Sequence, residues 1–216
     1  MFLVGVILDL QADAINADID ILVLLRKAFL IAKKLKLTDF EEWVDCELNG
    51  YKGNLECPHY REISGETKGW NPYNGWIPLL VANNEWYNTL NYKLVNESIA
   101  SLVSLLKTDG ALHIPFPGSV CATINEMTGI TTKYALFVSK NNIESIIETV
   151  RTKILDWAIV LEENGITGDG LTFSNKEKEL AISVPKIIHY INNFYKNADN
   201  IQIQQGTENS QQNHMK

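Results

Sequence analysis

The sequence is short of cysteine, of positive charge and of long apolar runs, and each shortage excludes something. Its three cysteines, Cys46, Cys57 and Cys121, are odd in number, widely spaced and without a CxxC pair. Neither a disulfide framework nor a zinc site is suggested. Lysine and arginine total 19 against 26 aspartates and glutamates, a net charge of −7, which argues against a general nucleic-acid binder. The lysines between Lys27 and Lys36 come nearest to a basic patch, and they read first as a solvated helix face. The apolar opening MFLVGVIL lacks a basic flank and meets Asp9 too early for a signal peptide or a spanning helix. No later run is long enough to cross a bilayer, so no membrane insertion is expected and a reducing cytoplasm is the default. No GxSxG, HExxH, Walker A or dinucleotide fingerprint is present. His59, His113, His189 and His214 have no ligand spacing between them, so no metal and no cofactor is expected.

What the sequence does have is a strongly patterned stretch at residues 20–51, DILVLLRKAFLIAKKLKLTDFEEWVDCELNGY. Ile21, Leu24, Leu25, Ala28, Ile31, Ala32 and Leu35 recur at helical spacing, and Leu22, Phe29 and Leu30 widen the stripe well beyond one face. Such a helix belongs at the centre of a core, with Asp20 as its N-cap. Lys33, Lys34 and Lys36 suit the negative end of its dipole. A second helix begins at Thr38 and Glu41 in a capping-box pattern, carries Phe40, Trp43, Val44 and Leu48, and stops at Asn49-Gly50.

Around this pair the chain, at 216 residues, has room for one sizeable core. Residues 2–15 predict a further helix with its stripe at Leu3, Val6, Ile7, Leu10 and Ala14. From residue 51 to 78 glycines and prolines interrupt any long helix. Strands are expected at 60–68 and 76–81 around a turn at Asn71-Pro72-Tyr73-Asn74-Gly75. Trp70, Tyr73 and Trp76 gather there, either to cover a ligand or stack on a base, or to cap the open end of a core. Residues 83–92 are ambiguous between helix and strand. Residues 97–106 form a helix capped by Asn96, 118–127 another, and 111–116 and 133–138 strands. Pro115 confines the first of these to an edge. The longest helix spans about 142–163, with Lys153 and Asp156 off its stripe toward solvent. Gly165-Ile166-Thr167-Gly168-Asp169-Gly170 reads as a turn and fails as a phosphate loop. A short helix follows at 175–182, with Ser174 as cap and Glu177 three residues on. Residues 186–195 form a strand or short helix.

The predicted architecture is α+β and helix-dominated: an N-terminal three-helix unit, short strands and one long C-terminal helix. One domain covers 1–195, divided into a helical unit at 1–50, a mixed part at 51–139, and the long helix with C-terminal elements at 140–195. Residues 196–216 form an Asn/Gln-rich tail, disordered at its end because it has almost nothing to bury.

Within this frame the charged residues of the helix pair are the candidates for chemistry. Arg26 and Lys27 interrupt an apolar helix, and Glu42 and Glu47 lie on its neighbour. An Arg26–Glu47 or Arg26–Glu42 pair would either fix packing register or line a polar site. Glu41 and Asp45 sit one turn apart, a spacing suited to a cation or to a solvated acidic face.

The blocks LLRKAFLIAKKL, FEEWVDCELNGY, PHYREISG and WNPYNGWIP are together similar to the AbiTii family of bacterial abortive-infection proteins, and GITGDGLTFS and IHYINNFY followed by NIQIQQGTENSQQ resemble the linker that follows this domain in related phage-defence proteins. The resemblance extends over most of the chain and implies a role in resistance to bacteriophage. It implies a phage component or a partner as trigger, and a second small protein of a paired system as a natural partner. It transfers no catalytic residues. Three functions follow as expectations: a sensor or interaction module; a toxin enzyme acting on nucleic acid or nucleotides through Arg26, Lys27, Glu42 and Glu47; and a subunit of a homo-oligomer assembled through the Asn/Gln tail.

Overall fold

A helix apolar on most of its circumference must be surrounded, and the fold is assembled around residues 21–35 in that way. A computed structural model of the chain describes residues 5–53, 56–80 and 84–183. The expectations for 186–195 and for the tail at 196–216 lie outside these residues. Among the described residues the order is α1 (Val6–Ile15), α2 (Ile21–Leu35), α3 (Thr38–Asn49), a 3₁₀ turn (His59–Arg61), β1 (Glu62–Asn71), β2 (Gly75–Pro78), α4 (Asn84–Asn91), β3 (Tyr92–Leu94), α5 (Ile99–Leu106), β4 (Leu112–Pro115), α6 (Gly118–Thr128), β5 (Tyr134–Val138), α7 (Lys140–Glu163) and α8 (Asn175–Ser183). The molecule is α+β and helix-dominated.

Helix α2 packs against α1, α3, α7 and α8. Asp20 caps it as its sequence predicts, accepting from the backbone N–H of Leu22 at 2.7 Å. Lys36 closes it in the left-handed conformation, φ 59°, donating its N–H to the carbonyls of Ala32 and Lys33. Leu24, Leu25, Ala28, Ala32 and Leu35 of α2 are wholly buried with Phe40 and Trp43 of α3 and Val150, Ile154, Trp157, Ala158 and Leu161 of α7. The Phe40 and Trp157 rings stack with centroids 3.7 Å apart. Each such leucine is worth about 1.5–3 kcal/mol. An exposed pair such as Lys33–Glu41, 2.7 Å apart, is worth about 0–1 kcal/mol. Apolar packing therefore decides the position of α2.

Three local expectations change. The capping box at Thr38 does not form: only Lys36 and Leu37 separate the two helices, so Thr38 already lies in the first turn of α3 and Glu41 reaches across to Lys33. Ser98, not Asn96, caps α5, its hydroxyl accepting from the Ser101 N–H at 3.2 Å. The Asn96 carbonyl is engaged instead by the Tyr51 N–H at 2.8 Å. Lys153 does not stand out in solvent. It is half-buried, with its ammonium 5.3 Å from the centre of the Tyr60 ring.

The strands form an antiparallel sheet in the order β2-β1-β5-β4, with β3 on the first residues of β1. Pro115 stands on the edge strand, where no ladder donor is missed. The ambiguous segment resolves into α4 followed at once by β3. Register fixes two faces: Gly65 pairs with Val138, Glu66 with Phe137 and Thr67 with Leu136. Ile63, Leu112, Ile114 and Val138 join the helical core. Glu66, Lys68, Trp70, Trp76, His113 and Phe137 therefore lie on the other face, toward solvent.

Gly65 marks a close approach between β1 and β5. A Cβ there would lie 2.3 Å from the carbonyl oxygen of Phe137, a backbone atom held by the ladder. Gly65→Ala is expected to destabilise the protein by about 1–3 kcal/mol, measured as a lower denaturant midpoint at unchanged m-value.

Candidate functional site

Glu47 falls seven residues after Phe40, on the apolar stripe of α3, so folding carries its carboxylate into the core. It is completely buried, as is Arg61 at the end of the 3₁₀ turn. The Arg61 guanidinium donates from Nε at 3.1 Å, and from Nη2, to the two oxygens of Glu47. Its Nη1 donates to the carbonyls of Val95 and Glu97, 2.8 Å each. The Tyr51 hydroxyl donates to the same carboxylate at 2.7 Å, as does that of Tyr60. Tyr60 in turn accepts from the Trp43 indole N–H at 2.9 Å. The Arg61 guanidinium also lies over the Tyr51 ring, 4.8 Å from its centre.

Electrostatics follow from this enclosure. Burial, and then the Glu47 charge, hold the Tyr51 and Tyr60 hydroxyls protonated well above the usual phenol range. Burial alone would favour loss of the Arg61 proton, but hydrogen bonding and attraction to Glu47 outweigh it and raise Arg61 further. Burial, then the nearby carboxylates Glu42, Asp45 and Glu47, push the Cys46 thiol up to about 11. Burial lowers Lys153. The network thus ties the ends of three separate segments to α3. The ion pair at its centre is closed to solvent, while Tyr60 is partly exposed.

The candidates read from the sequence are placed differently from one another. Arg26 and Glu42 are exposed. Lys27 is paired with Asp9 and Asp13 of α1, the latter at 2.7 Å, and these hydrogen bonds outweigh burial to raise its pKa. Among the described residues no ion pair joins Arg26 or Lys27 to Glu42 or Glu47. The expected Arg26–Glu47 pair is corrected to Arg61–Glu47, because α3 turns Glu47 toward the 3₁₀ turn and β1. Sequence reasoning missed Arg61, Tyr51 and Tyr60. The available signal was the position of Glu47 on the stripe, which required a buried cation from somewhere. Among the described residues no group of three or more His, Cys, Asp or Glu side chains could hold a metal ion, and no helix is long and apolar enough to cross a membrane.

The glycine-rich turn at 165–170 carries an internal anion. The backbone N–H groups of Thr167, at 3.1 Å, and Gly168, at 2.8 Å, both donate to a Glu177 carboxylate oxygen. Ser174 and Glu177 form the reciprocal cap, Ser174 N–H to Glu177 at 2.8 Å and Glu177 N–H to the Ser174 hydroxyl at 3.2 Å. Partial burial acts to raise the Glu177 pKa, but these donors outweigh it and hold it below the usual carboxylate range. A depressed folded-state pKa gives stability that is present above the unfolded value and lost as pH falls through the folded one. Protection of the Thr167 and Gly168 amides, measured as exchange relative to the intrinsic rate at each pH, should fall on acidification. In Glu177→Gln it should already be low at neutral pH.

The solvent face of the sheet carries a second cluster. Trp70 and Trp76 meet edge to face with centroids 5.5 Å apart, Trp76 lies 5.3 Å from Phe137, and Phe137 lies 5.3 Å from His113. The Lys68 ammonium is 5.0 Å from the Phe137 ring and that of Lys133 is 5.0 Å from Trp70. Tyr73, expected in this cluster, is 94% exposed at the turn. Behind Trp70 a cavity of about 310 Å³ opens between the hairpin and the end of α6, walled by Ile77, Leu79, Thr132 and Tyr134.

Fold and site together define a helix-dominated α+β protein with an enclosed ion-pair lock and an aromatic sheet face. A family model described as AbiTii matches residues 5–186, and the chain belongs to that family. Membership places it among abortive-infection proteins, which give resistance to bacteriophage. No curated protein and no solved structure matches the chain.

Proposed function

We propose that this AbiTii protein is a sensor or interaction module of the cytoplasm, which a phage component or a partner triggers so that the infected cell ceases to support phage multiplication. One observation carries this reading. The densest chemistry of the chain, Glu47 with Arg61, is sealed and fully bonded, leaving no atom to meet a substrate, whereas rings and ammonium groups stand on an open face. A second small protein of a paired system is the natural partner. The competing reading, a toxin enzyme acting on nucleic acid or nucleotides, needs Arg26, Lys27, Glu42 and Glu47 to act together.

Growth of a bacterial host expressing the chain, uninfected and then challenged with phage, separates the two. The sensor reading expects normal growth without phage and early death of infected cells. Arrest without phage, relieved by Arg26→Met or Glu42→Gln in a folded protein, would establish the toxin instead.

A further inference from the structure

We propose that the open face of the sheet binds single-stranded nucleic acid, with bases stacking on the Trp70, Trp76, Phe137 and His113 rings and phosphates meeting Lys68 and Lys133. The proposal deepens the sensor reading and rests on it for its biological role, though not for the binding itself.

The argument begins with register. Residues opposite one another in an antiparallel ladder share a face, so Trp70 with Trp76, and Glu66 with Phe137 and then His113, stand on one side. Their rings form a row across all four strands, with successive centroids 5.3–5.5 Å apart. Trp70 is 38% exposed and His113 is exposed at the two ends, while Trp76 and Phe137 are half-buried between them. A core in need of a lid would not leave its outer rings in water, and this face lies on the far side of the sheet from the core. Every nucleobase has a flat π-face, so such a row accepts bases without regard to sequence.

Charge complementarity selects the occupant. Lys68 and Lys133 stand beside the rings of a chain whose net charge is −7. Two acidic groups share the face: Glu66 is paired with Lys68 at 2.9 Å, and Glu62 lies 3.5 Å from His59. A strand finds rings for its bases and the Lys133 ammonium for a phosphate, with Lys68 reaching a second only on leaving Glu66. Stacking rather than charge then dominates, and affinity should fall only gently with salt, with a log–log slope of about −0.7 for one phosphate on a single strand.

The test uses the full chain and fluorescein-labelled strands of about 12 nucleotides, oligo-dT and oligo-U, within the usual range of site sizes, with a DNA duplex of equal length as control. Binding is read by anisotropy and by quenching of indole fluorescence. Trp43 and Trp157 are wholly buried and Trp86 is half-buried on α4, so the part of the quenching that Trp70→Ala removes reports the sheet face. Both strands should bind better than the duplex. Trp70→Ala should weaken binding about five- to hundredfold, and the exposed Lys133→Ala should weaken it less and flatten the salt dependence, each with unchanged circular dichroism. Absence of binding, equal binding of the duplex, or binding indifferent to Trp70→Ala and Lys133→Ala together would overturn the proposal. So would a protein ligand that needs these residues while no strand binds. A chain that binds strands but fails the growth test would refute the sensor reading and leave the platform standing.

Discussion

Replacing Arg61 with Met should destabilise this protein by about 3–5 kcal/mol, the cost of leaving a buried carboxylate without its cation. That is a large fraction of the roughly 5–15 kcal/mol by which an ordinary domain is stable. Glu47 would keep the Tyr51 and Tyr60 hydroxyls but lose both guanidinium donors, and the carbonyls of Val95 and Glu97 would lose theirs. Arg61→Lys should recover little, because an ammonium cannot serve both carboxylate oxygens and two carbonyls at once. The informative variant is the double one. In Glu47→Leu with Arg61→Met both charges are gone, and stability should return to within about 1–2 kcal/mol of the native protein. Denaturant titrations of the four proteins close the cycle. A double variant no better than Arg61→Met would mean that the pair is needed for more than mutual neutralisation.

Alkaline solution should unfold the protein steeply, for a reason lodged in the same network. Tyr51 and Tyr60 keep their protons in the folded state to pH values far above the usual phenol range. The unfolded chain releases them near pH 10. Above that point the unfolded state binds fewer protons than the folded one, so stability falls as pH rises, by about 1.4 kcal/mol per pH unit for each group. Both tyrosines together give about 2.7 kcal/mol per unit. The Cys46 and Cys57 thiols, raised from 9.0 to about 11, act in the same direction and overlap the start of this window. Tyr51→Phe removes one ionisable group, and the slope of stability against pH above 10 should drop by about 1.4 kcal/mol per unit. Tyrosinate absorbance should report these two residues only as the protein unfolds. A gradual titration ahead of unfolding would show that the enclosure opens.

Local signals made α2 legible in the sequence. A broad apolar stripe, an aspartate cap and a lysine-rich end are each decided by residues a few positions apart, and all are present in the fold. The hairpin at 71–75 and the reciprocal Ser174–Glu177 cap are legible for the same reason. The buried pair was half legible. The stripe of α3 carries Glu47 inward, but the choice between Arg26 and Arg61 depends on how a breaker-rich segment folds back onto α3, which no period encodes. Lys153 escaped in the same way: its place on α7 is polar by phase, and Tyr60 reaches its ammonium from another segment. The face of the sheet needs two registers at once, β1 with β2 and β1 with β5, before Trp76 and Phe137 become neighbours. Trp70 and Trp76 were visible as a cluster. His113, Phe137 and the two lysines were not.

Helix α1 is secured by residues near the other end of the described chain. The Ile7 N–H donates to the Thr167 carbonyl at 3.2 Å, and Gln11 donates to Ala158 and to Glu162. Contacts of such sequence separation slow folding. During synthesis at roughly 5–20 residues per second, α1 and α2 leave the ribosome roughly 7–30 seconds before α7 can receive them. The face of α2 that α7 covers therefore stays open until translation has passed the long helix. A chain halted before that point keeps this apolar face open to chaperones and proteases.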